Sequence, residues 1–243
     1  MKEKNKITGF STMSSAVEFA AHYNQWVFSK FQKYIGGNIL EVGSGKGIFK
    51  KWIKPSDLFV SVDIDKDIID NAKRKDPDGI YFNSDIADKN TVFLLKKHQF
   101  RSILCFNVLE HIEEDGKAIE NMLELLDENG YLLLFAPALP LLFNDKDKLA
   151  GHLRRYTKKS LLNKLKLHNN IEIKKLEYFN PIGAIGYLAN KFVKHRSLNN
   201  KSIRFQTQFF DKYLVSLSKA INPITVNLFG QSLVCVVQKK KNQ

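Results

Sequence analysis

Two stretches of this 243-residue chain carry the side chains best suited to chemistry. In the first, ILEVGSGKGIF (39–49), an apolar run breaks into Gly43-Ser44-Gly45-Lys46-Gly47. A glycine-rich turn after a strand lets the backbone approach a ligand closely and, where a helix begins there, aims free N–H groups at it. A dinucleotide grip wants its third glycine after two intervening residues, and a phosphate loop wants Gly-Lys followed by Ser or Thr. Here the third glycine comes one residue early and Lys46 is followed by Gly47, so neither grip fits. Glu41, just ahead of the loop, would repel a phosphate and welcome an ammonium group. Two more acids follow in order. Asp63 ends FVSVD, where a carboxylate accepts from both hydroxyls of a ribose, and Asp85 in NSDIAD stands where it would meet an adenine amino group. One acid at a strand end is weak evidence, since Asp commonly opens turns, but four matched features in order carry weight.

The second stretch is FAPALPLLFNDKDKLAGHLRRYTKKSL (135–161), an apolar run that gives way to a crowd of ionisable groups. His152 is suited to exchanging a proton near neutral pH, and Asp147 would orient it or be the base itself. Arg154 and Arg155 would clamp a phosphate or carboxylate of an acceptor, with Tyr156 beside them. The bland alternative is a surface turn in which an Arg and an Asp pair to pin the loop over a packed Tyr156.

The elements that position these groups follow from periodicity. Short β-rich runs occur at 38–43, 58–63, 80–83, 102–108 and 131–137, and again at 171–179 and 232–238. Between the first five lie helical segments, the clearest at 116–130, where Ile119, Met122, Leu123 and Leu126 share one face and Gly130 is placed as a stop. A further helix is expected to start at the glycine loop. Near-continuous apolar strands alternating with helices predict an α/β fold with a parallel sheet covered on both faces. Residues 16–35, within an N-terminal segment 12–35, read as one helix with an aromatic stripe of Phe19, Tyr23, Trp26, Phe31 and Tyr34. Thr157 is an N-cap for a helix carrying Leu161, Leu162 and Leu165. Residues 181–221 hold two more helical stretches around the basic connector VKHRSLNNKSIR. The expectation is a single domain over 1–243: a core at 37–137, a substrate-side rim and helical insertion at 138–225, and a last strand at 232–238.

Composition bounds the reading. Hydrophobic residues at 44% and charged residues at 26% describe an ordinary globular chain with enough length for a sizeable core. The longest apolar run, YLLLFAPALPLLF, is too short and proline-broken to span a bilayer, and MKEKNK has no apolar signal core, so a cytoplasmic protein is expected. Cys105 and Cys235 sit in strand-like runs without disulfide or metal spacing, and no metal is expected. A net charge of +13 fits an anionic acceptor, a nucleic acid or an acidic membrane surface, and equally a compositional bias in a chain rich in Lys, Asn and Ile.

As a set, these motifs resemble the class I S-adenosylmethionine-dependent methyltransferases. LEVGSGKG looks like their first motif, VDID their ribose-binding acid, NSDIAD their adenine-side motif and NVLEHI the segment after their fourth strand. The resemblance implies a Rossmann-like seven-stranded sheet with its last strand antiparallel, and S-adenosyl-L-methionine as cofactor. Glu41, Gly43, Ser44, Gly45 and Gly47 would then form the loop beside the methionine part, with Asp63 and Ile64 at the ribose. Asp85 and Ile86 would meet the adenine, and Asn107 would offer its carbonyl to the ammonium. Beyond residue 140 the chain is similar to a bacterial subgroup associated with glycosyltransferases and surface-polysaccharide assembly, matching at Asp147, Gly151, His152, Arg154, Arg155, Tyr156 and Asn180. That likeness implies O-methylation of a small-molecule or glycan- or lipid-linked acceptor, at the inner face of the membrane or free in the cytoplasm. An exocyclic-amine base methyltransferase would carry Asn-or-Asp-Pro-Pro-aromatic where this chain has Asn107-Val108-Leu109-Glu110, and a cytosine-C5 enzyme would place Pro before its Cys, where Leu104 stands. Ribose, protein or quinone-ring methylation, or a cofactor-binding scaffold without turnover, remain alternatives.

Overall fold

The computed structural model describes residues 18–54, 58–190 and 201–241. Seven strands form one sheet in the order β3-β2-β1-β4-β5-β7-β6. They are β1 (Ile39–Val42), β2 (Phe59–Asp63), β3 (Ile80–Asn83), β4 (Phe100–Phe106), β5 (Leu126–Pro137), β6 (Ile171–Phe179) and β7 (Ser232–Lys239). β1 to β5 run parallel, while β7 lies antiparallel between β5 and β6. Strand period two sorts the core into two layers. On β7, Leu233, Cys235 and Val237 pack on one face with Ala118, Ile119 and Met122 of α4 (Asp115–Leu125). Val234 and Val236 pack on the other, with Trp26 and Val27 of α1 (Ala21–Ser29) and with Phe31.

α2 (Lys66–Lys75) follows β2, and α3 (Lys89–Leu95) follows β3; each is opened by an aspartate whose side chain accepts from the first turn, Asp65 and Asp88. Past β5 come α5 (Asp145–Leu149) and α6 (Lys158–Leu165), the latter opened by Thr157 in a reciprocal box with Ser160. After β6 the chain forms α7 (Pro181–Asn190), α8 (Lys201–Phe209), a π turn at Phe210–Leu214 and α9 (Val215–Thr225). Residues 191–200, which include the basic connector from 193 to 200, lie outside the described residues.

Three expectations from sequence are corrected. No α-helix starts at the glycine loop: turns lead to a single 3₁₀ turn at Lys50–Trp52, where Trp52 packs beside Phe49 and Phe28 and the coming Pro55 disfavours helical continuation. α4 stops at Leu125 rather than Gly130, since Leu126 already pairs with Phe100 and the extra residues form a bulge with Asn129 at φ 61°. The N-terminal helix spans Ala21–Ser29; beyond it Lys30 and Phe31 donate to Val27 and Phe28, tightening the chain into a 3₁₀ turn, and residues 16–17 fall outside the described set.

α1 has no side-chain cap of its own. Its free N–H groups are met from across the molecule by Asp211 in the π turn, which accepts from Tyr23 N at 2.8 Å and His22 N at 3.2 Å. A cavity of about 730 Å³ opens between this helical layer and the C-terminal ends of the parallel strands. Open α/β sheets bind ligands at that edge.

Candidate active site

The glycine loop forms one wall of the cavity. Gly43 extends the sheet ladder by donating to Val62 O at 2.8 Å, with φ 73°. A Cβ there would come within 2.2 Å of Val108 Cγ2, so only glycine lets the loop lie against the end of β4. Gly45 N donates to Asp63 Oδ2 at 3.2 Å, and Gly47 N donates to Ser44 O at 2.8 Å, closing the turn without itself reaching the wall. Ser44 Oγ is buried beside the cavity and has no hydrogen-bond partner among the described residues. A buried hydroxyl left unpaired on a cavity wall is suited to a polar ligand.

Glu41 and Asp63 supply the acids. Burial pushes the Glu41 carboxyl up to about 7 against the hydrogen bond from Ser61 Oγ at 3.3 Å. Burial also raises Asp63, opposed by the N–H groups of Asp65 and Gly45. Ile64 stands 47% exposed on the same wall, an apolar platform next to the carboxylate. Asn107 turns the chain out of β4 at φ 54°, also on the wall. Asp85 and Ile86 do not line this cavity. Asp85 accepts from Ala87 N at 2.9 Å and borders a separate depression, and Ile86 is in the core with its carbonyl on Asn121.

The rim builds a second polar centre. Asn144 and Asp147 cap α5 reciprocally, Asp147 Oδ2 accepting from Asn144 N at 3.0 Å. The fully buried Asp147 then takes His152 Nδ1 at 2.8 Å and Arg155 Nε at 2.9 Å on Oδ1. Burial alone would raise its carboxyl, but His152 and Arg155 hold it below the usual range. His152 lies on the cavity wall, and its Nε2 is 3.7 Å from Glu110 Oε1. Burial pushes the Glu110 carboxyl up to about 7 and, with His152 close by, the neighbouring His111 down to about 4.

The remaining rim residues do other work. Arg155 is buried, donates to Ala138 O at 2.9 Å and lies over the Tyr187 ring, so most of its guanidinium is spent tying the rim to β5 and α7. Arg154 pairs with Asp115 at 3.0 Å, and the buried Tyr156 hydroxyl donates to the same carboxylate at 2.7 Å; neither lines the cavity. Asn180, at φ 62°, accepts from Gly183 N and from Ser218 Oγ, holding α7 and α9 beside the cavity. Sequence alone does not single out Glu110 and His111 beyond their place in NVLEHI, because their meeting with His152 is made only by the fold.

The arrangement provides an ammonium-compatible acid, a loop that admits close approach, a second acid at a strand end on the cavity wall and a histidine held by a carboxylate. A family model described as a methyltransferase domain matches residues 18–190. No curated protein matches the chain. Among solved structures, the N-methyltransferase NodS of Bradyrhizobium japonicum WM9, in complex with S-adenosyl-L-homocysteine, is similar at TM-score 0.54 and 13% identity, over 91% of this chain and 87% of that one. A putative methyltransferase of Bacillus halodurans C-125 aligns at TM-score 0.56 and 18% identity, over 88% and 99%. An S-adenosylmethionine-dependent methyltransferase of Mesorhizobium loti aligns at TM-score 0.57 and 14% identity, over 85% and 93%. At such identities the likeness is one of fold, and the seven-stranded sheet with its reversed strand is the fold they share. With the family model spanning most of the chain and the glycine loop and acids at the expected strand ends, this protein belongs to the methyltransferase-domain family.

Proposed function

We propose that the protein is an S-adenosyl-L-methionine-dependent O-methyltransferase acting on a hydroxylated small-molecule or glycan- or lipid-linked acceptor. The residues present fit the cofactor: Asp63 at the ribose, Glu41 and the Asn107 carbonyl toward the ammonium, and the unpaired Ser44 hydroxyl as a further polar contact. When bound, the cofactor supplies a sulfonium methyl whose C–S electron pair stays with sulfur as the acceptor oxygen takes the carbon. The chain must align the acceptor, exclude water and receive the hydroxyl proton.

The observation that carries the oxygen reading is the Asp147–His152 pair on the cavity wall. Asp147 accepts from Nδ1–H, so the lone pair is left on Nε2, where a general base holds it. Nitrogen acceptors with a free lone pair need no such base. The glycan- or lipid-linked class rests on the run from Asp147 to Tyr156 followed by Asn180, and on the apolar Phe205 and Phe209 beside the cavity mouth. An acceptor delivered at the inner face of a membrane fits that mouth. Calorimetric titration with S-adenosyl-L-homocysteine, with Asp63→Ala as control, tests the cofactor site. Labelled methyl transfer to hydroxylated glycans, lipid-linked sugars and RNA tests the acceptor; turnover of RNA alone would remove this reading.

A further inference from the structure

Glu110 is fully buried, and both of its oxygens lack a hydrogen-bond partner, which holds for no other carboxylate among the described residues. Leaving such a group unpaired is expensive. Around it stand two imidazoles whose rings meet edge to face, with centroids 4.9 Å apart. His152 Nδ1 is engaged by Asp147 Oδ1 at 2.8 Å, and His111 Nδ1 by the Gly151 carbonyl at 3.2 Å. Both partners are acceptors, so each ring carries its proton on Nδ1 and its lone pair on Nε2. Three electron-pair donors thus converge within 4.8 Å of one another.

We propose that Glu110, His111 and His152 bind a divalent transition-metal ion, and that Asp147 and the Gly151 carbonyl are the outer groups that orient the two imidazoles. Two nitrogens and one carboxylate suit a borderline ion of the zinc, cobalt or iron(II) kind, whereas magnesium and calcium prefer oxygen alone. An ion about 2.1 Å from each donor sets neighbouring ligand atoms roughly 3.4 Å apart. The 3.7 Å between His152 Nε2 and Glu110 Oε1 is close to that spacing, and small side-chain rotations close the rest. His111 and His152 both lie on the cavity wall, so the ion's open positions face the acceptor space.

The role of the ion rests on the O-methylation reading. A hydroxyl oxygen bound to the ion ionises near neutral pH and releases its proton to water, with His152 acting as ligand instead of base. Loss of turnover in His152→Ala is expected with or without the ion, so the deciding measurement reads the metal directly. Protein dialysed against chelator is titrated with Co(II), followed by visible absorption and calorimetry, with S-adenosyl-L-homocysteine binding measured on every sample. The expected result is one saturable equivalent with ligand-field bands, weakened 10- to 100-fold by Asp147→Asn, an outer-group change. Glu110→Gln and His111→Ala should each abolish it while leaving homocysteine-ligand binding in place. A protein that binds the homocysteine ligand but takes up no stoichiometric Co(II) would overturn the metal site and leave the cofactor reading standing. So would uptake that Glu110→Gln and His111→Ala leave unchanged, which would mean an adventitious ion on other histidines. Loss of homocysteine-ligand binding in the wild type would strike the cofactor reading alone.

Discussion

Glu41 shows how one carboxyl can link pH to both folding and binding. Its carboxyl is raised by burial to about 7 in the folded protein, from an unfolded value near 4.5. The native state therefore holds a proton that the unfolded chain has lost, and Glu41's contribution to stability falls as pH rises from about 4.5 through 7. Ligand binding runs the other way, because an ammonium group favours the ionised carboxyl. Homocysteine-ligand affinity should rise between pH 6 and 8 by calorimetry, and Glu41→Gln should flatten both the affinity and the stability profiles. For His152→Ala the expected result is a loss of turnover of 10²-fold or more, with ligand affinity within about threefold, since the residue serves the acceptor's proton, as base or as a ligand of the proposed ion. Equal loss of both would mark His152 as structural. Gly43→Ala should lower thermal stability and ligand affinity together, because its Cβ would strike Val108. In sequence, Glu41, Gly43, Gly45 and Asp63 were legible as residues of the cavity wall because they sit within a few residues of strand ends, where local pattern and ligand chemistry coincide. Arg154 and Tyr156 were not, because Asp115, some forty residues away, decides where they point.

The strands β3 and β6 read to the residue from alternation and flanking turn residues, and the Thr157 cap from its type and place. The missing helix after Gly47 and the early end of α4 did not, because strand pairing and Pro55 overrode local periodicity. Least legible is the cap on α1, which Asp211 supplies from 188 residues away. Two N–H groups meet a buried carboxylate there, an interaction worth about 1–2 kcal/mol at a helix N-terminus. Asp211→Ala should therefore reduce unfolding free energy by that amount in a urea titration. It should also loosen the cavity, since α1 and the π turn both line it. Thr157→Ala should cost about 1 kcal/mol and leave ligand affinity alone. Similar ligand losses in both variants would argue against the Asp211 link.

At the scale of the molecule, no helix among the described residues is long and apolar enough to cross a membrane. Yet Phe205, Phe209, Tyr213 and Leu217 are exposed on consecutive turns beside Arg204, Lys212 and Lys219, in a chain of net charge +13. An acidic bilayer surface would attract such a face, weakly and in a salt-dependent way. Sedimentation with phosphatidylglycerol vesicles should show binding at low salt that fades by 0.5 M, that neutral vesicles lack, and that Phe205→Asp with Phe209→Asp removes. The position of β7 has a different consequence, one of time. It is the last strand among the described residues, yet it lies inside the sheet, and β6 is joined to β5 only through it. During synthesis, β1 to β5 can zip as they emerge, while β6 must wait with an unpaired edge until residues 232–239 arrive. Such long-range closure is slow and leaves a sticky edge in the meantime. Refolding should accordingly show an early species with the parallel half formed and the cavity incomplete, its Ser232 wall being the last to be laid down.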